Sequence, residues 1–258
     1  MTDLPTATFK GPEPRVEPTP RWIRVRAGDI EVADSRRALL LCWYGPGMLP
    51  TYCIPADDVR TDLLRPRGEP GGDGFLVDHD LVVGDVVLEG AAKLCSSPPL
   101  PLEAVDGHWT FTWDTGLSWF EEALEVHVHA RDPSKRVDVV PSERFVRVEL
   151  DGQVVAESSR PHALFETSLP TRWYLPLADV RQELLVPSDT VSVCPYKGTA
   201  SYWSVQTGDG LHRDVVWTYP EPIAECPRIA GLVCFFNEKV DLVIDGVPQE
   251  RPRTPWSD

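Results

Sequence analysis

What this 258-residue chain lacks narrows the field first. Its longest apolar run, Ala38 to Tyr44, is about seven residues, against the roughly 18–20 that a membrane-spanning helix needs. Positive charge is scarce: 25 Lys and Arg face 40 Asp and Glu, a formal charge of −15. Phosphate backbones and anionic bilayers both attract basic faces, so neither nucleic acid nor a membrane is expected as a partner. The six cysteines (Cys42, Cys53, Cys95, Cys194, Cys226 and Cys234) contain no C-x-x-C pair, which removes zinc-ribbon and thioredoxin-type centres. Several lie in apolar strings such as "LLLCWY" and "LVCFF", as reduced, buried thiols would. There is no G-x-S-x-G elbow, no G-x-x-x-x-G-K-[ST] loop and no G-x-G-x-x-G turn, and no cofactor is expected. The first twenty residues show no basic stretch leading into an apolar core, so a cytoplasmic protein is expected.

Turn-forming residues are plentiful instead. Pro 26 and Gly 18 are spread along the whole chain, which favours short strands joined by many turns over long helices. The chain is also written twice. "RVRAGDIEVADSRRALL" from Arg24 parallels "RVELDGQVVAESSRPHAL" from Arg147, and "YCIPADDVRTDLLRP" parallels "WYLPLADVRQELLVP". A third match pairs "WFEEALEVHV" with "FFNEKVDLVI". Each copy opens on alternating apolar and polar residues around a turn, Asp151-Gly152 in the second, which signals a hairpin. Leu177, Val180 and Leu184 have helical spacing before Pro187. The expected architecture is mainly β: two tandem antiparallel domains, each with one or two short helices. The expected boundaries are a Pro-rich arm (1–20), a first domain (21–130), a linker (131–143), a second domain (144–246) and a loose tail (247–258), with the two domains packed on each other.

The stretch "VCPYKGTASYW" concentrates the candidate chemistry. Pro195 fixes one turn dihedral and Gly198 tolerates conformations that other residues resist, so a plain turn with a solvated Lys197 is one reading. The other is the wall of a pocket for a small anionic or planar ligand, made by Tyr174, Arg181, Cys194, Lys197, Tyr202 or Trp203, Trp217 and Tyr219. Tyr202 and Trp203 point to opposite faces of one strand, so only one of them can line a given cavity. An enzymatic reading would use Cys194 as nucleophile or Lys197 as amine. A third is a module that binds a protein through exposed aromatics. In "EVHVHARD", period two puts Glu125, His127 and His129 on one strand face, a pattern shared by metal sites and by solvated strands. Arg60 and Arg181 recur in both copies and suit a structural pairing as well as a ligand contact. The first copy has the Gly-rich loop "RPRGEPGGDGFLVDHD" in place of the Cys-Pro-Tyr-Lys-Gly turn.

The ordered set "YLPLADVRQELLVPSDTVSVCPYKGTASYWSV", "VVWTYPEP" and "IAGLVCFFNEKVDLVIDG" resembles the DUF427 domain, here in a tandem arrangement common among actinobacterial proteins. The resemblance covers about Arg144 to Gly246 closely and the first copy more loosely. It implies a compact, β-tent-like fold of antiparallel sheets and assigns no activity. The family is also described as nucleotidyltransferase-like; that chemistry needs a Gly-Ser loop before a paired-carboxylate metal site, and the sequence has none.

Overall fold

The computed structural model describes residues 12–44, 48–67, 74–113 and 116–257. The chain divides into two compact units between Asp132 and Pro133, and each contains one seven-stranded and one four-stranded antiparallel sheet. In the first, the large sheet runs Arg15–Pro18, Leu39–Cys42, Thr51–Pro55, His108–Phe111, Val86–Cys95, Leu76–Val83 and Leu64–Pro66. The second repeats it with Val137–Pro141, His162–Glu166, Arg172–Pro176, Leu232–Phe235, Leu211–Thr218, Gly198–Gln206 and Leu185–Cys194.

Strand periodicity builds the core of each unit. In Val146–Leu150, Val146, Val148 and Leu150 are buried while Arg147 and Glu149 are half-buried, which directs one face of the small sheet inward. These side chains meet Ala163, Trp173, Leu175, Val205, Val216 and Phe235 of the large sheet in one apolar cluster. The first unit has the matching cluster around Val25, Val32, Leu40, Ile54, Phe111 and Trp119. At Asp151-Gly152 both residues take positive φ (52° and 72°), as the expected two-residue hairpin turn requires.

Four sequence expectations meet a different arrangement. The spacing of Leu177, Val180 and Leu184 does not make one helix; it makes two 3-10 turns, Leu177–Asp179 and Gln182–Leu184, with Val180 bridged to Ala156 between them. The reason lies in the Arg181 N–H, which donates to the Val155 carbonyl at 2.9 Å and so leaves the helical ladder. The stretch read as linker contains the strand Val137–Pro141, paired with His162–Glu166, and the arm contributes the equivalent strand Arg15–Pro18; residues 1–11 lie outside the described residues. The tail is anchored. Val247–Pro248 pairs with Asp241–Ile244, the Thr254 hydroxyl donates to Glu238 at 2.6 Å, and Arg251 pairs with Asp241.

The third internal match also shifts. Trp119 lies opposite Val25 and Leu242 opposite Val148, so "SWFEEAL" corresponds to "DLVIDGV", seven residues beyond the "FFNEKV" proposed from sequence. Main-chain bonds confirm it: Glu122 N–H donates to the Trp22 carbonyl, and Asp245 N–H donates to the Phe145 carbonyl, both at 2.9 Å. Shared apolar character misled the sequence alignment; hydrogen-bond register settles it.

Candidate functional site

The large sheet of the second unit has an outer face as well as the face that meets the small sheet. On it Leu164, Tyr174, Ala200, Trp217, Tyr219 and Cys234 pack with Cys226 and Ile229, which come from the connection preceding Leu232–Phe235. The turn at Cys194–Lys197 closes over this layer, with Lys197 N–H bonded to the Cys194 carbonyl at 3.3 Å. Gly198 then takes φ +110°, and a Cβ there would stand 3.2 Å from the Glu221 carbonyl oxygen and 3.3 Å from the Ile223 nitrogen. Only glycine permits that approach. Ile223 N–H donates to the Lys197 carbonyl at 3.0 Å, fastening the turn down.

The fastened turn drives Lys197 inward. Its side chain is 11% exposed and its ammonium donates to Glu166 at 2.5 Å. Lys135 pairs with the other oxygen of the same carboxylate at 3.2 Å, so two ammonium groups bracket one buried glutamate. Burial alone would push the Glu166 carboxyl up, but Lys197 and Lys135 more than offset it and hold the group below the ordinary carboxylate range. Burial likewise works to lower the Lys197 pKa, and Glu166 overrides it, so the ammonium stays charged. An ammonium held charged by a carboxylate is a donor for anions.

The other expected residues divide. Tyr174, Trp217 and Tyr219 lie together beneath the cluster, at 1, 7 and 5% exposure, with the Trp217 indole N–H donating to the Tyr174 hydroxyl at 3.0 Å. They form a closed floor where sequence reasoning placed open walls, because the segment carrying Cys226 and Ile229 covers them. Burial pushes the Tyr174 and Tyr219 hydroxyls well above the usual phenol range, so both are neutral. Cys194 and Tyr202 flank this layer, and the Tyr202 hydroxyl bonds the Ser192 hydroxyl at 2.7 Å. Trp203 packs on the opposite, inner face. Arg181 lies outside the cluster, exposed and paired with Glu183 at 2.8 Å. Asp179, two residues before it, is taken by Ser158 and Arg160, as Asp58 is by Ser35 and Arg37 in the first unit.

The histidine pattern dissolves. The strand ends at Val126, and Val128 takes φ +79°, which breaks the alternation; His127 is exposed while His129 is buried with its ring bonded to the Ala130 carbonyl. Among the described residues no group of three or more His, Cys, Asp or Glu side chains is placed to hold a metal.

Sequence reasoning missed Glu166 and Lys135. The internal repeat carried a signal for the first of them. Leu164 lies opposite Arg172 and Leu41 opposite Thr51, so Glu166 stands where the first unit has Trp43. There Trp43 stacks on Phe75, with ring centroids 5.8 Å apart and planes within 7°. The rings beneath are likewise exchanged: Cys53 and Cys95, with sulfurs 3.9 Å apart, take the places of Tyr174 and Tyr219.

No curated protein matches the chain. Residues 15–121 and 138–246 each match the family described as Domain of unknown function (DUF427), and the two matched segments coincide with the two repeats of sheet topology. The chain therefore belongs to the DUF427 family, as a tandem pair of its domains.

Proposed function

We propose that the second domain binds a small anion, a carboxylate or phosphate compound, at the Lys135–Glu166–Lys197 cluster. One observation carries the reading: two copies of one fold fill the same spot differently. The first uses stacked apolar rings, so the frame folds without charge at that position. The second takes three charged side chains out of water, each with less than 15% exposure. Desolvating such a group is costly, and hydrophobic replacement of a buried ion cluster is often neutral or stabilising. A cost borne in one copy and avoided in the other points to use. Two ammonium groups above an apolar floor suit an anion that replaces part of the Glu166 contact.

The test is differential scanning fluorimetry of the full chain with inorganic phosphate, citrate and nucleoside monophosphates, beside the Glu166→Leu/Lys197→Met variant. A rise in Tm with at least one probe in the natural sequence, absent in the variant, supports the reading. No shift with any probe, or equal shifts in both proteins, overturns it.

A further inference from the structure

In the first domain the outer end of the core is covered by the chain itself. Ala130 is fully buried in the cluster that holds Leu40, Cys42 and Tyr52, and its N–H donates to the Pro50 carbonyl at 3.1 Å. Two residues on, Asp132 is 3% exposed and pairs with the Arg15 guanidinium, while the Tyr44 hydroxyl donates to it at 3.3 Å. Burial and then the Asp132 charge push the adjacent Cys42 thiol up to about 12. An extended segment is thus seated by one small apolar side chain and one carboxylate.

Among the described residues, the second domain has the same seat with no segment of the chain over it. Strand register equates Cys42 with Phe165, Leu40 with Ala163, Tyr52 with Trp173 and Arg15 with Asp138. Val140, Ala163, Phe165 and Trp173, with Ser142 and Arg144 at the rim, border a hollow of about 160 Å³. Phe165 is 49% exposed, whereas its counterpart Cys42 is 1% exposed. The tail that follows the last strand is fastened to Asp241, Glu238 and the ring-flanked Arg172.

We propose that this hollow receives an extended segment of a partner protein that carries a small apolar residue and, two positions later, a basic one. The first half of the specification copies the seated Ala130. The second follows from charge complementarity: the strand position that holds Arg15, and so selects an aspartate, holds Asp138 here. Its present partner, Arg136, is 76% exposed, a surface pair that an incoming lysine or arginine displaces readily. The segment docks by side chains across the sheet face. Strand addition along the outer edge is blocked, because Pro141 has no N–H and Arg228 already donates to the Val139 carbonyl at 2.9 Å.

The probe is a fluorescein-labelled peptide of residues 126–133, VHVHARDP, and the same peptide with lysine in place of its aspartate. Fluorescence anisotropy with the full chain should show the lysine peptide binding roughly tenfold more tightly. Asp138→Lys should reverse that preference, and Phe165→Ser should weaken both peptides; both positions are exposed enough to change without loss of fold, which circular dichroism melting checks. Equal affinity for the two peptides, no binding at millimolar concentration, or binding indifferent to Phe165→Ser overturns the proposal. Self-association in analytical ultracentrifugation that disappears in Phe165→Ser also overturns it, by assigning the hollow to a second copy.

Discussion

Lys197 is held by one carboxylate, and that makes its substitution informative. Lys197→Ala removes one of the two ammonium partners of a buried carboxylate and leaves Lys135 on the other oxygen, so the loss is a part of the about 3–5 kcal/mol that a wholly unpaired buried charge costs. Urea denaturation of that variant should show a loss of this size, well beyond what a solvated turn lysine would give. Acid is the second probe at this scale. Glu166 titrates near 4.5 when unfolded and lower when folded, so below pH 4.5 the unfolded chain takes up more protons and stability falls. Glu166→Gln should flatten that part of the curve of stability against pH, measured by urea midpoints at several acid pH values. An unchanged slope would remove Glu166 from the set of carboxylates responsible.

At the level of elements, the turn and its dock act together. Gly198→Ala meets both a positive φ and two backbone atoms under 3.4 Å away, so it should cost about 1–3 kcal/mol. Hydrogen exchange at Ile223, whose amide is bonded across that contact, should quicken in the variant. The same elements show what a sequence can disclose. Hairpins were legible, because alternation and Asp-Gly turns are local signals and both appear where expected. The helical spacing around Val180 was not, because a single hydrogen bond from Arg181 to another strand overrides a short periodic pattern. Nor was the ion cluster: Lys135 lies 31 residues from Glu166, and only folding brings them together. Comparison of the two repeats offered the one usable hint, an indole at the position of Glu166.

Over the whole molecule, duplication acts as an internal control. One half shows how the frame looks when both special positions are filled by apolar side chains or by the chain itself. The other keeps a charged cluster on one face and an open hollow on the other. The 26 prolines and 18 glycines suit this chain, because the eleven short strands described in each unit need many tight connections. On the binding proposal, the Lys135–Glu166–Lys197 cluster serves ligand capture and not folding. Equilibrium denaturation of Lys135→Met/Glu166→Leu/Lys197→Met, which removes every charge of the cluster and gives the second domain an apolar filling like that of the first, tests it most directly. Stability within about 1 kcal/mol of the natural sequence, or above it, is the predicted result. A loss as large as that of Lys197→Ala would make the cluster structural and contradict the account.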